Sequence, residues 1–95
     1  MSQLDIRVPL GNRSFEEIRP ALDAALERDL PNGLVSAKWD GDRLVISGSG
    51  VNGAIFQQDG HLVAQAKLRL PASLMRPMFE QRVGEVLHDA VAESA

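Results

Sequence analysis

The chain has 95 residues, 44% hydrophobic and 24% charged, which suits one modest globular domain spanning 1–95. Thirteen acidic residues against ten lysines and arginines give a net charge of −3, which argues against a generally cationic nucleic-acid or membrane-surface binder. The lack of cysteine excludes disulfides, thiolate nucleophiles and cysteine-ligated metals. No apolar run approaches the roughly 20 residues of a membrane span. The first residues show no basic region followed by an apolar one, so we expect a cytoplasmic protein without a secretory signal.

A strand and an amphipathic helix open the chain. Apolar and polar residues alternate over 4–10, which predicts a half-buried strand. Ser14 and Glu17 have the spacing of a capping box, and apolar residues recur at helical spacing over 15–30. Because Pro20 lies inside this stretch, we expect either a kink there or a later start of the helix.

Residues 34–70 are predicted to form four strands joined by tight turns. Pro31-Asn32-Gly33 ends the preceding helix, and hairpin signals follow in Asp40-Gly41-Asp42, with the turn at Asp40-Gly41 or at Gly41-Asp42, and then at Ser49-Gly50 and Asp59-Gly60. Each turn fixes which residues of its two strands face each other, and all three turns put the same set on one face. That set is Val35, Ala37, Trp39, Leu44, Ile46, Val51, Gly53, Ile55, Gln57, Leu62, Ala64, Ala66 and Leu68.

A second helix closes the chain. Pro71 stops the last strand, apolar residues recur at helical spacing from Leu74 to Val91, and Pro77 marks the first turn of the main helix after a looser turn. The order β-α-β-β-β-β-α predicts an α+β fold, a five-stranded antiparallel sheet with two helices on one face. The expected core is Trp39, Leu44, Ile46, Ile55, Leu62, Leu68, Leu22, Leu26, Phe79, Val83 and Val86.

This layout is similar to one half of the TATA-binding-protein fold and to a reduced helix-grip fold. The similarity implies that the first strand pairs with the last, giving the sheet order 1-5-4-3-2. Nothing in the residue pattern itself fixes that order, so it is an expectation from analogy.

The face of the sheet opposite the helices is expected to be open to solvent. Its apolar strip of Val45, Ala54, Phe56 and Val63 lies in a frame of cations, with Asp5 as the anion. Such a patch is typical of a contact site, although a plainly solvated face with an Arg43–Phe56 cation–π pair explains it equally well. The candidate contact surface is Arg7, Lys38, Arg43, Val45, Ala54, Phe56, Val63, Lys67 and Arg69.

Residues for catalysis or metal binding do not form a recognisable pattern. His61 and His88 lack spaced partners and are interpreted as surface histidines, and Ser47 and Ser49 fit turn positions. The stretch 48–53 matches Gly-x-Gly-x-x-Gly, but it joins strand to strand, whereas dinucleotide binding needs a strand followed by a helix. We therefore expect no enzymatic activity, no catalytic residue, no cofactor and no metal.

Short motifs carry a family resemblance. Ser49-Gly50-Val51-Asn52-Gly53 begins the fourth strand, Ala66-Lys67-Leu68 lies near the end of the fifth, and Leu74-Met75 and Met78-Phe79 enter the final helix. In these motifs, in size and in element order the chain resembles the polyhydroxyalkanoic acid system family, small proteins typically encoded near polyester-granule genes in bacteria. The resemblance implies a cytoplasmic accessory protein of polyhydroxyalkanoate storage, with the granule surface as a candidate place of action. The family offers no established catalytic residue to carry over.

Three functions stay open. In the first, a non-enzymatic accessory protein uses its open sheet face to contact a granule, an acyl chain, a protein partner or a second copy in a homodimer. In the second, a helix-grip-type module holds a hydrophobic anionic ligand, such as an acyl thioester, in a cavity between helix and sheet. The third, weak salt-sensitive nucleic-acid binding by the basic sheet, ranks last because the net charge opposes it. Small residues that could leave the cavity are Gly48, Gly53, Ala54, Ala64 and Ala66.

Overall fold

The segments with alternating apolar residues form five strands, and those with helical spacing form two helices, in the predicted order. The computed structural model of the protein describes residues 2–29, 35–48, 50–70 and 72–93. The predicted turn Pro31-Asn32-Gly33, the turn residue Ser49 and Pro71 lie outside the described residues. The elements are β1 (Ser2–Pro9), α1 (Phe15–Asp29), β2 (Val35–Asp40), β3 (Arg43–Gly48), β4 (Val51–Gln58), β5 (His61–Leu68), a short 3-10 helix (Ala72–Met75) and α2 (Arg76–Glu93).

The sheet has the order β1-β5-β4-β3-β2, and all of its neighbouring strands are antiparallel. The predicted order is therefore confirmed. The register that the turns imply is confirmed as well: Ile55 lies opposite both Leu44 and Ala64, and Gly53 lies opposite Ala66. Tight turns thus determine register, because each one fixes the alternation of side chains in the strand that follows.

The β2–β3 turn owes its shape to left-handed backbone. Asp40 pairs with Arg43, so the β2–β3 turn consists of Gly41 and Asp42, the later of the two alternatives that the sequence allowed. Gly41 has a φ of 61°, a conformation that glycine adopts without steric cost. From β2 to β5, strands that are consecutive in the chain are also neighbours in the sheet.

Helix α1 begins at Phe15 and continues through Pro20, so the later start allowed for in the prediction was wrong. The Ser14 Oγ accepts a hydrogen bond of 3.3 Å from the Glu17 backbone N–H, which supplies the predicted cap. Pro20 is exposed, and the buried Ile18 and Leu22 anchor the helix on either side of it. The helix therefore tolerates the backbone bond that a proline removes.

Helix α2 begins at Arg76, with Pro77 in its first turn as predicted. Leu74 and Met75 fall in the preceding 3-10 helix and are 76% and 43% exposed. They therefore do not extend the buried stripe of α2, contrary to what their helical spacing indicates. The Arg76 guanidinium also reaches β1, where its Nη2 donates to the Gln3 carbonyl at 3.0 Å.

Both helices pack on one face of the sheet and share its hydrophobic core. Nine of the eleven predicted core residues are buried, while Trp39 and Val83 are only partly buried. Trp39 lies on edge strand β2, and its Nε1 donates to the Asp23 carboxylate of α1 at 3.0 Å. The core also includes residues absent from the prediction: Leu4, Val8, Leu10, Phe15, Ile18, Ala25, Val51, Ala64, Ala72, Leu87 and Ala90.

Candidate functional site

The open face of the sheet is a grid, because paired strands align their outward residues in rows. The first row from β1 to β2 is Arg7, Val63, Phe56, Arg43 and Asp40. The second row is Asp5, Gln65, Ala54, Val45 and Lys38. The third row is Gln3, Lys67, Asn52, Ser47 and Ser36. Apolar residues therefore occupy the middle of the first two rows, and the third row is entirely polar.

We call Val45, Ala54, Phe56 and Val63 the apolar patch. They form one connected block, since Phe56 lies opposite Val63 and Ala54 opposite Val45. The expectation of an exposed strip needs correction: Val63 is 0% exposed, and the other three are half-buried. Val63 is flanked by Phe56 on one side and by Arg7 on the other, and it lies outside the helix-covered core.

Arg43 covers part of the patch. Its guanidinium carbon lies 5.0 Å from the centre of the Phe56 ring, which is the predicted cation–π pair. Such a contact contributes about 0.5–1 kcal/mol where solvent is near. The Arg43 side chain therefore lies over the Phe56 ring on the open face.

Two carboxylates reduce the net positive charge of the basic frame. The Arg7 Nε donates to Asp5 at 3.2 Å, and the amide of Gln65 donates to the other Asp5 oxygen at 3.3 Å. Asp40, expected only as a turn residue, also lies on this face, beside Arg43. The basic frame therefore combines two anions, Asp5 and Asp40, with the five predicted cations, which are Arg7, Lys38, Arg43, Lys67 and Arg69.

The other three cations of this face, Lys38, Lys67 and Arg69, are exposed, as Arg7 and Arg43 are. Lys67 lies between Gln3 and Asn52 in the polar third row. Arg69 follows the end of β5, where its backbone N–H donates to the Gly50 carbonyl at 2.7 Å. The basic side of the open face thus runs towards the end of the sheet that carries the β5–α2 connection.

The open face offers room for a ligand, and the interior offers almost none. A shallow depression of about 490 Å³ lies on the open face, lined by Val45, Asn52, Ala54, Gln65 and Lys67 among others. Between the sheet and α2, among the described residues, lies an apolar crevice of only about 20 Å³. Small-ligand pockets are typically about 300–1,000 Å³, so an acyl thioester does not fit between helix and sheet in this conformation.

The glycines of the family-like motif have structural roles. A Cβ on Gly53 would lie 2.6 Å from the Ala66 Cβ, so the absent side chain lets β4 and β5 approach closely. Gly50 has a φ of 82°, and a Cβ there would lie 2.5 Å from the Arg69 carbonyl oxygen. The motif therefore secures the β4–β5 pairing and the exit from β5, and it supplies no reactive group.

An exposed apolar end is the feature that sequence reasoning missed. Leu70 and Leu74 are 70% and 76% exposed, and with Met75 they are the large hydrophobic residues exposed in the described part of the chain. Leu70 follows Arg69 just before the 3-10 helix, and Leu74 and Met75 lie within that helix. Pro77 was the available signal, because a proline fits the first turn of a helix and so places Leu74 and Met75 ahead of the regular helix.

The histidines stay apart from any reactive arrangement in the described ranges. His61 is half-buried at the β4–β5 turn, with its Nδ1 3.0 Å from the Asp59 carbonyl oxygen, whereas His88 is exposed on α2. Among the described residues no group of His, Cys, Asp and Glu side chains could hold a metal ion. None of the helices within those residues is long and apolar enough to cross a membrane.

Comparison with known proteins agrees with the motif resemblance. A family model described as a putative polyhydroxyalkanoic acid system protein matches residues 11–91, which is most of the chain. No curated protein matches the chain, and no solved structure does.

Proposed function

The chain belongs to the polyhydroxyalkanoic acid system family, and from this premise we propose that it is a non-catalytic accessory protein of polyester storage inside the bacterial cell. It acts at the granule, and it contacts the granule surface through the open sheet face. The observation that carries the proposal is the apolar patch within the basic frame, since most of the sheet's other apolar residues belong to the core or pack against it.

The chemistry of this face suits a polyester surface that also carries anionic groups. Polyester chains alternate hydrocarbon segments with ester carbonyls, which accept hydrogen bonds. The apolar patch can pack on the hydrocarbon, while the Asn52 and Gln65 amides beside it can donate to carbonyls. Lys38 and Lys67 would orient the protein on anionic groups more than they would add affinity.

The exposed apolar end supports the same assignment. Leu70, Leu74 and Met75 place hydrocarbon in water at the end of the molecule that also carries Arg69. Exposed apolar area of this kind typically marks an interaction site. This end would be a second point of contact with a hydrophobic surface.

The other two candidate functions fit the geometry less well. The crevice of about 20 Å³ between sheet and α2 is too small for a helix-grip ligand. Nucleic-acid binding would draw on five cations of which Arg7 is already engaged by Asp5, on a chain of net charge −3.

Granule co-sedimentation of Phe56→Asp tests the proposal. Phe56 is half-buried and outside the core, so the variant should fold, as circular dichroism would verify. We expect it to remain in the supernatant where the wild type sediments with purified polyester granules, because a carboxylate in the patch would have to be desolvated on contact.

Two further variants make this experiment specific. Ala24→Asp adds the same charge at an exposed position of α1 and should sediment like the wild type. Leu74→Asp reports on the exposed apolar end. Sedimentation of Phe56→Asp at the wild-type level would refute a role for the open face, and loss in Leu74→Asp alone would move the contact to that end.

A further inference from the structure

The two edges of the sheet are protected very differently. On the β1 edge, Arg76 donates to the Gln3 carbonyl, and Pro9 has no backbone N–H to offer. The β2 edge contains no proline, and β3 is its sole neighbour in the described sheet. An unpaired strand of this length presents a row of donors and acceptors that another strand can use.

The outward hydrogen-bonding groups of β2 follow from its register. Asp40 and Arg43 flank a two-residue turn and so form a hydrogen-bonded pair with each other. Because hydrogen-bonded and non-hydrogen-bonded pairs alternate in antiparallel strands, Val35, Ala37 and Trp39 direct their N–H and C=O groups away from β3. These three residues also share the helix-side face, where Ala37 is exposed and the other two are half-buried.

We propose that a second copy of this chain pairs with β2, antiparallel, about a two-fold axis at Ala37. In this register Ala37 lies opposite Ala37 of the other copy, and Val35 lies opposite Trp39. All three outward-facing residues then exchange hydrogen bonds, and partly exposed apolar side chains meet on the helix side. On the open face, Ser36 lies opposite Lys38, so like charges do not face each other.

Charge selects this register over the one with its axis at Lys38. A shift of the axis to Lys38 preserves the hydrogen-bonding alternation but puts two lysines in direct opposition, which is destabilising. The pairing at Ala37 makes one continuous ten-stranded sheet with both open faces on the same side. Since few residues pair on each side, the dimer fraction should rise with concentration.

Sedimentation velocity over a concentration series gives the first measurement. We expect the mass to rise from the 10.3 kDa of one chain towards twice that value. Ala37→Lys and Ala37→Glu should each weaken self-association about tenfold or more, because each places like charges in opposition. An equimolar mixture of the two variants should dimerise again, since the opposed charges are then opposite in sign.

A cross-link tests the axis position directly. The chain has no cysteine, so Ala37→Cys introduces a single thiol. Cα atoms of a hydrogen-bonded antiparallel pair lie about 5.5 Å apart, so a short bis-maleimide reagent can join the two thiols. Ala37→Cys treated with this reagent should run as a covalent dimer, whereas Ala24→Cys, exposed on α1, should stay monomeric.

Two results would overturn the proposal. One is a wild type that keeps the mass of a single chain throughout the series while Ala37→Cys fails to cross-link. The other is a dimer that survives both charge variants at Ala37, which would show that another surface pairs. None of these measurements involves granules, so the outcome is independent of the granule assignment.

Discussion

The two faces of the sheet draw on alternate residues of the same strands, yet they become buried in different ways. Leu62 and Val63 are consecutive in β5 and both are 0% exposed. Leu62 belongs to the core that α1 and α2 cover, whereas Val63 lies outside that core, between Arg7 and Phe56. A second layer thus buries one face, and neighbours within the sheet bury the other. Loss of solvent exposure alone does not distinguish a core from a contact surface.

Truncation of Leu62 and of Val63 should give the largest difference in unfolding free energy between the two faces. Leu62→Ala removes packing between layers and should lower the free energy of unfolding by about 2–5 kcal/mol. Val63→Ala removes two methyl groups from a face that can adjust, and it should cost about 1–2 kcal/mol. Urea unfolding of both variants, fitted with a common m-value, gives the comparison. Equal losses would mean that the open face is packed as tightly as the core.

Much of this contrast could be predicted from the sequence, because tight turns fix the alternation. The opposition of Leu44 and Ile55, and the whole apolar set, follow from turn positions alone. The burial of Val63 could not be predicted in this way, since it depends on how Arg7 and Phe56 fill space across two strand pairs. The place of Asp40 depended on which of two adjacent turns formed.

The start of α2 shows a different limit of sequence reasoning. The apolar spacing continues without a break from Leu74 into the helix, so periodicity alone includes Leu74 and Met75. Regular helix begins only at Arg76, after the 3-10 helix. Local backbone restrictions from proline outweigh side-chain periodicity there, and the two side chains point to solvent.

Gly53→Ala tests how closely β4 and β5 must approach each other. The added methyl would meet Ala66 and the Gln65 backbone, which cannot move without shifting β5. We expect a loss of about 1–3 kcal/mol in unfolding free energy. Ala54→Gly is the control: it removes a methyl group from the next residue, on the open face, where Gly53→Ala adds one on the helix side. A wild-type midpoint for Gly53→Ala would show that the strands separate easily.

Arg43→Gln measures the smallest expected effect, the contribution of the Arg43–Phe56 cation–π contact to stability. It removes the cation over Phe56 and should lower stability by about 0.5–1 kcal/mol. Arg82→Gln, which loses an exposed ion pair with Glu85 on α2, provides a control of equal charge change. Chemical denaturation resolves a difference of this size when both variants are measured together. A larger loss at Arg82 would assign the effect to net charge instead of the aromatic contact.

Trp39 gives this protein a single built-in optical probe. It is the only tryptophan, and the chain has no tyrosine, so one indole dominates the intrinsic fluorescence. The indole Nε1 donates a hydrogen bond to Asp23, and the ring centre lies 4.2 Å from the Arg19 guanidinium carbon. The emission of Trp39 therefore depends on the docking of α1 against β2. The same residue lies on β2, the edge strand of the described sheet. Unlabelled protein can therefore report both helix detachment and strand pairing, and dilution distinguishes the two because only the pairing depends on concentration.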